Sequence, residues 1–337
     1  MLEGLKRLFG GGSAASKSAS PDQACQALVA PPNARPWEDQ RLNPKARLAA
    51  YKGFVFDRLA DIQSALQRSA GDLARQVEIK DDPESQRWVN EGEWLRDVSA
   101  EDFCRRIDRP AEIKALLGKN FLGAEAWTSQ GIDVGEAPPI PSSITRELLE
   151  SECPLHRGEK IKDTHLLVLV PKSVNGKPYT ALELKELCAK RKGSGDRLIY
   201  DGEEWANAWK GQPWASTPQS ESEWLLIPKS DPDPQKVSEE KHFRSKEIAA
   251  QQTVHDTYYP DYREVKAVEL MTAVLLHDLV NGERLLDGYD LRCQEKKASG
   301  GRVCVGCFDA GGLGVDDDGD DADFGLIGRA LARKLKT

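Results

Sequence analysis

The chain has 337 residues, 39% hydrophobic and 30% charged, and this composition excludes an intrinsically disordered protein. A net charge of −8 argues against general nucleic-acid binding, and the lack of ~20 consecutive apolar residues or a signal-peptide core predicts a cytoplasmic protein without a membrane span. Seven cysteines at irregular spacing suit a reducing compartment better than a disulfide framework.

Residues 1–35 are predicted to form a flexible N-terminal segment. The stretch from Gly10 to Asp22 has the Gly, Ser and Ala composition of a flexible linker. Residues Met1–Phe9 place leucines beside Lys6 and Arg7. That pattern has two interpretations, a frayed terminus or a short docking peptide.

Residues 36–134 are predicted to form a small all-α domain. Asn43 and Pro44 are typical of a helix start, and apolar residues at three- and four-residue steps continue this helix to about Arg75. Further helices are expected over Pro83–Val98, over Pro110–Leu117, and from Ser99 to Arg106 or beyond. The tryptophans and leucines indicate a hydrophobic core, and the domain is a candidate docking module for a partner.

The Pro- and Gly-rich stretch Gly135–Ser143 marks the start of a second domain, residues 135–337. The apolar run Thr164–Val170 predicts a buried strand, and Asp261–Val280 predicts a buried helix that stops at Asn281 and Gly282. A further helix and further strands are expected over Thr180–Arg191, Trp224–Ile227, Leu291–Cys293 and Arg302–Gly306. This order indicates an α+β domain.

The last stretch, from about residue 300 to residue 337, mixes two kinds of position. One kind is an apolar skeleton, formed by Val303, Val305, Phe308, Ala310, Leu313, Val315 and Ile327. The other kind is a set of interleaved positions, formed by Cys304, Cys307, Asp309, Gly311, Gly314, Asp316, Asp317, Asp318, Gly319, Asp323, Phe324 and Gly325.

The composition of the interleaved positions is unusual. Seven Asp and no Glu occur from Asp309 to Asp323, although a solvated acidic loop normally mixes the two. Asp, Gly, Cys and Phe can each be reached from an asparagine codon by replacing only its adenines, whereas Glu, Lys, Gln, Met and Trp cannot. The stretch therefore has the pattern of a fixed scaffold with substituted asparagine positions.

This pattern resembles the variable proteins of diversity-generating retroelements. Their hypervariable C-terminus is similar to GGR-V-x-V-G-x-F-x-A-x-GL-x-V, followed by an Asn/Asp-rich turn and IG-x-A-x-ARK. The matching residues run from Gly300 to Val315 and from Ile327 to Lys334, and weaker similarity extends upstream to about Ile144. The resemblance implies a C-type lectin fold of the formylglycine-generating-enzyme type, used to bind ligands and not to catalyse.

The resemblance further implies that adenine-directed mutagenesis diversifies the interleaved positions, which then form a ligand-binding surface on the apolar skeleton. Because the interleaved positions are rich in Asp with one aromatic, Phe324, we expect a protein or other macromolecular ligand with a basic surface. No cofactor and no catalytic residue are expected.

Cys304 and Cys307 also have the spacing of a metal or redox pair. A structural zinc site would need further ligands, for which Cys153 and His156 are the best candidates. The five histidines form no paired motif. A metal-dependent or formylglycine-generating, oxidase-like enzyme on the same fold is therefore the alternative function.

The acidic run suggests a second kind of metal site. Asp316, Asp318 and Asp320 are candidate ligands for one irregularly bound calcium ion. The spacing fits neither an EF-hand nor a stacked array of calcium-binding repeats, because glycines fall at ligand positions and only one copy is present. A solvated acidic loop is the other interpretation.

Overall fold

The computed structural model describes residues 35–189, 198–200, 209, 211–234, 236–297, 300–319 and 325–335, without the side chains of Asp317 and Asp318. The chain divides into two compact units, Met1–Glu112 and Ile113–Thr337. The composition change at Gly135–Ser143 predicts a later boundary, between residues 134 and 135. The units meet earlier because Ile113 and Leu117 already belong to the hydrophobic core of the second unit.

The first unit is helical. A 3₁₀ turn at Pro36–Glu38 precedes helices α1 (Pro44–Arg68), α2 (Leu73–Asp81), α3 (Pro83–Trp94) and α4 (Ala100–Leu117), the last of which continues into the second unit. The predicted helix start is confirmed, since the Asn43 side chain accepts a hydrogen bond from the Ala46 N–H at 2.9 Å. The predicted segment of residues 1–35 lies outside the described residues, apart from Arg35.

Three of the helices differ from the prediction. The helix expected over Pro83–Val98 ends at Trp94. The first helix ends at Arg68 and not near Arg75, because the Asp72 carboxylate caps a new helix by accepting the Arg75 N–H at 3.0 Å. The two helices expected around Pro110 are one helix, α4, with the proline inside it. A proline inside a helix costs ~3 kcal/mol, and buried side chains on both sides of it hold this helix together.

The core of the first unit confirms the expected role of its apolar residues. Val55, Leu59 and Phe103 are fully buried. Aromatic rings pack around them, among them Trp37, Tyr51, Phe54, Trp88 and Trp94. Sequence patterns did not reveal the buried Arg47, whose guanidinium donates two hydrogen bonds to Asp108, at 2.9 and 2.6 Å.

The second unit mixes helices and strands. Its helices are α5 (Ala124–Ser129), α6 (Arg146–Glu150), α7 (Ile161–Thr164), α8 (Ala181–Ala189), α9 (Pro213–Ser216), α10 (Ile248–Tyr258) and α11 (Ala267–Asn281), with 3₁₀ turns at Gly118–Asn120 and Glu239–Lys241. Its strands are β1 (Phe121–Leu122), β2 (His165–Val170), β3 (Ser173–Val174), β4 (Lys177–Pro178), β5 (Glu223–Pro228), β6 (Tyr262–Glu264), β7 (Asp290–Lys296), β8 (Arg302–Asp309), β9 (Gly312–Asp318), β10 (Ile327–Arg329) and β11 (Leu331–Arg333).

The strands form three sheets. One sheet has the order β1-β2-β5-β11-β6, a second has the order β10-β7-β8-β9, and β3 pairs with β4. Strands β10 and β11 are separated only by Ala330, so the chain passes from the second sheet into the first within one residue. Ala330 holds this crossing by donating to the Arg292 carbonyl at 2.9 Å and accepting from Val265 at 3.3 Å.

Helix α11 is the core helix of the second unit. Residues 267–277 are all buried, as the apolar pattern predicts, and Gly282 ends the helix in a left-handed conformation with φ 68°. The helix begins at Ala267 and not at Asp261, because residues Tyr262–Glu264 pair with β11 as strand β6. The apolar run His165–Val170 is a fully buried strand, also as predicted.

The observed architecture is a mixed α/β protein with a helical N-terminal region. Helix α10 and the connection between the two sheets at Ala330 were not predicted from sequence. Helix α8 is confirmed over Ala181–Ala189, and its predicted end at Arg191 lies outside the described residues. Within the described ranges, every helix is too short or too polar to cross a bilayer.

Candidate ligand-recognition surface

The final stretch folds into an antiparallel hairpin of β8 and β9. Cys304 lies opposite Asp316, and Val305 lies opposite Val315. The register shifts between Gly306 and Asp309, where the strand bulges before the turn. The turn is closed by the Gly311 N–H, which donates to the Asp309 carboxylate at 2.7 Å.

The apolar skeleton lies in the core, with one exception. Six of its members are between 0% and 4% exposed: Val303, Val305, Phe308, Leu313, Val315 and Ile327. Ala310 differs from the expectation because it occupies the turn at the tip of the hairpin, where its side chain is exposed. The skeleton is therefore an anchor along the strands and not at the turn.

Most interleaved positions face outward. Exposed residues are Cys307, Asp309, Asp316, Gly319 and Gly325, while Gly311 and Gly314 are half-buried. Asp323 and Phe324, and the side chains of Asp317 and Asp318, lie outside the described part of the chain. We call the exposed residues of β8, β9 and their turn the β8–β9 surface.

Cys304 contradicts the expectation of an outward-facing residue. Its side chain is only 1% exposed, although strand alternation points it away from Val303 and Val305. The reason is that this face of the sheet is covered near Cys304. The neighbouring Arg292 is fully buried there and donates to the carbonyls of Lys246 at 3.2 Å and Gly319 at 3.3 Å.

Cys307 has an uncommon backbone conformation. Its φ of 43° lies in the left-handed region, which the bulge before the turn imposes. The Cys307 thiol lies 3.3 Å from the Asp290 carboxylate. Partial burial of the thiol and the Asp290 charge raise the pKa of Cys307 to about 12, so the free thiol stays protonated at neutral pH and is a poor nucleophile.

Among the residues that the structure describes, no three His, Cys, Asp or Glu side chains are grouped so that they could hold a metal ion. Cys304, Cys307, Cys153 and His156 are all described, so they do not assemble the zinc site considered from sequence. The calcium set cannot be placed, because Asp320 and the Asp318 side chain lie outside the description.

Gly306 on β8 and Gly328 on β10 bring these two strands into close contact with the rest of the second unit. A Cβ atom on Gly306 would overlap the Tyr289 carbonyl oxygen and lie 2.6 Å from Asp290 Cα. A Cβ atom on Gly328 would overlap the Asp231 carboxylate, which is buried and held by Arg244 at 2.6 Å. Only glycine fits at these positions without movement of the backbone or of a buried ion pair.

Two buried cations of the second unit, Lys297 and Arg329, pair with carboxylates. The Lys297 ammonium is 3.5 Å from the Asp316 carboxylate. Arg329 is 2% exposed and donates to Glu264 and Gln252, each at 2.6 Å. Burial lowers the pKa of Arg329 from its ordinary value, while the Glu264 charge acts against this change. Lys297 thus orients Asp316 on the acidic surface, whereas Arg329 binds Glu264 and Gln252.

Two further residues adjoin this surface and were missed from sequence. Tyr200 is 40% exposed, its N–H donates to the Leu313 carbonyl at 3.0 Å, and its ring flanks Gly311. Arg284 donates to the Asp309 carbonyl at 2.7 Å. Tyr200 and Arg284 are distant in sequence, so no local pattern could have placed them here.

The surface thus combines exposed carboxylates, glycines and an aromatic edge on a packed base. Such an arrangement can bind a complementary surface. Comparison of the chain with family models, with curated proteins and with solved structures found no match.

Proposed function

We propose that this protein is a ligand-recognition protein whose β8–β9 surface is diversified by adenine-directed mutagenesis from a retroelement. The ligand is a protein or another macromolecule. The fold proposed for residues 135–337 is a C-type lectin fold of the formylglycine-generating-enzyme type. The helical N-terminal region would serve as the attachment point for a partner.

The observation that carries the proposal is the separation between anchor and display residues along one hairpin. Val305 on β8 and Leu313 on β9 are fully buried, whereas Cys307 and Asp309 at the end of β8 are exposed. Substitution of an exposed residue removes little packing, so many sequences are compatible with one backbone. Cys304 is the exception, and we expect only small side chains there.

The charge of the surface supports a basic ligand. Asp309 and Asp316 are exposed, and the interleaved positions contain no Lys or Arg. Opposite charge on a ligand would increase the rate of association and favour a specific orientation. The enzyme alternative has less support, because the high pKa of Cys307 keeps its thiol protonated.

The test of diversification is sequencing of the gene and its surroundings. We expect a reverse-transcriptase gene and an adenine-rich near-copy of the region that encodes residues 300–337. Copies of the gene should differ at Cys307, Asp309 and Asp316 and agree at Val303 and Leu313. Differences spread equally over both sets, or no near-copy, would contradict the proposal.

The test of charge complementarity uses an octalysine peptide as a probe. The double variant Asp309→Asn with Asp316→Asn should bind it more weakly than the wild type, and raising the salt from low to physiological concentration should weaken wild-type binding. The control neutralises two exposed carboxylates of the first unit, Asp61→Asn with Glu78→Gln. An equal loss in both double variants would mean that the peptide responds only to net charge.

A further inference from the structure

A small cleft beside the start of helix α11 lies apart from the residues of the β8–β9 surface. Its volume is about 300 Å³, and its walls include Trp214, Gln219, Lys266, Val268, Gln294 and Glu295. Pockets for small molecules typically measure about 300–1,000 Å³, so this cleft suits a ligand of few atoms.

Two residues that line this cleft each carry a buried hydrogen-bond donor without a partner among the described residues. The indole Nε1 of Trp214 and the amide Nε2 of Gln219 find no acceptor among the residues that the structure describes, although these residues are only 6% and 3% exposed. Lys266 fixes the orientation of the Gln219 amide by donating to its Oε1 at 2.9 Å, which leaves the NH₂ end unused. A buried donor without a partner is costly, so the pair indicates a place for an acceptor group.

The same cleft also holds an anionic side. One oxygen of Glu295 accepts the Ala267 N–H at 2.9 Å, at the first turn of α11. Glu295 is half-buried, and burial raises its pKa from the ordinary value. A cationic group bound beside Glu295 would offset this unfavourable burial of charge. The Val268 side chain and the Trp214 ring supply apolar wall, and Thr217, Pro218 and Gln294 complete the lining.

We propose that this cleft binds a free α-amino acid with an apolar side chain. The carboxylate of the ligand accepts hydrogen bonds from Trp214 Nε1, Gln219 Nε2 and Lys266 Nζ. The ammonium group of the ligand donates to the Glu295 carboxylate, and its side chain packs against Val268. This site does not depend on the function proposed for the β8–β9 surface.

The first experiment is calorimetric titration of the full chain with L-leucine, L-leucinamide and N-acetyl-L-leucine. Leucine should bind one site per chain. Leucinamide lacks the carboxylate and N-acetyl-leucine lacks the ammonium, so each should bind about tenfold or more weakly, which is the effect of losing a hydrogen bond to a charged group. No binding of leucine at millimolar concentration, or equal binding of all three compounds, would overturn the proposal.

The two analogues also distinguish a free amino acid from a peptide terminus. Leucinamide resembles the N-terminus of a peptide and N-acetyl-leucine resembles a C-terminus. If either binds as tightly as leucine, the ligand is a peptide end and the proposal of a free amino acid is wrong.

A second experiment tests whether the carboxylate of the ligand binds at Trp214. The variant Trp214→Phe keeps an aromatic ring and removes the N–H. We expect about tenfold weaker leucine binding in a variant that remains folded, with a melting temperature lowered by the loss of buried ring volume. Trp88→Phe in the first unit is the matched control and should bind leucine like the wild type. Unchanged affinity in a folded Trp214→Phe variant would overturn the assignment, and the ligand series tests the proposal on the wild type should that variant fail to fold.

Discussion

At the scale of single residues, close approach and burial decide which positions of the final stretch can change. The codon pattern separates apolar from interleaved positions, yet it treats all interleaved positions alike. The structure distinguishes the exposed Cys307 from the buried Cys304. Sequence could not make this distinction, because the cover over Cys304 comes from the distant Lys246 segment and Arg292.

Gly306 and Gly328 should be intolerant of a side chain. Gly306→Ala and Gly328→Ala are each expected to lower the free energy of unfolding by about 1–3 kcal/mol or more, because the new methyl group overlaps backbone or a buried ion pair. Gly325→Ala is the matched control, since its Cβ would lie 3.3 Å from Ser245 Oγ at an exposed position. Urea unfolding measures all three, and an equal effect of Gly325→Ala would contradict this account.

Glu223 should make the stability depend on pH. Burial and the charge of Glu269 raise its pKa to about 7, although Arg263 lies within 3.1 Å of its carboxylate. The folded state therefore keeps a proton that the unfolded chain releases above its ordinary pKa of 4.5. The contribution of Glu223 to the stability of the folded state is most favourable below pH 4.5, and it is lost as the pH rises through 7.

The variant Glu223→Gln tests the direction of this pH dependence. It should stabilise the protein at pH 8 by about 1–2 kcal/mol after an allowance for solvent screening, and it should change stability little at pH 5. Thermal unfolding at both pH values gives the comparison, with the exposed Glu125→Gln as control. Destabilisation at pH 8 would show that the Arg263 interaction outweighs the cost of burying the charge.

At the scale of elements, hydrophobic periodicity predicted the helices and strands whose own apolar residues are buried. It failed where pairing or packing with a distant segment determines the structure. The buried strand β2 and the buried helix α11 follow from their apolar residues alone. Strand β6 was assigned to the helix, because its strand character arises only from pairing with β11, about 70 residues later in the chain. Helix α4 continues through Pro110 for a similar reason, because the packing of its side chains outweighs the cost of a proline inside the helix.

The β8–β9 hairpin should show a sharp difference between its two kinds of position. Leu313→Ala is expected to cost about 2–5 kcal/mol, because the side chain is fully buried. Cys307→Asn on the same hairpin should change stability by less than about 0.5 kcal/mol, because the position is exposed and asparagine tolerates a left-handed backbone. Chemical unfolding of both variants would contradict the anchor-and-display arrangement if the two losses were similar.

At the scale of the whole molecule, the sequence predicted a helical N-terminal region followed by a mixed α/β unit. The composition change near residue 135 did not locate the contact boundary at residues 112 and 113, because α4 runs through it without a break in pattern. The surface could be predicted in outline from residues 300–337. Its Tyr200 flank could not, because a bridge between Ile199 and Leu313 is set by tertiary folding.

The second unit should fold without the first. Its hydrophobic core draws residues only from Ile113 onward, whereas the core of the first unit uses residues up to Ile107. A fragment of residues 113–337 should unfold in one cooperative transition by calorimetry. A second fragment, residues 100–337, keeps α4 whole and controls for damage to that helix. Neither fragment folding would contradict the independence of the two cores.

The backbone angle of Cys307 also limits the repertoire that the hairpin can offer. Replacing adenines in an asparagine codon gives isoleucine, threonine and valine as well as asparagine, aspartate and glycine. Branched side chains strain a left-handed backbone, while the last three tolerate it. The fold would therefore reject part of the possible diversity at position 307 before any ligand is met. Natural copies should be poorer in branched residues there than at positions 309 and 316.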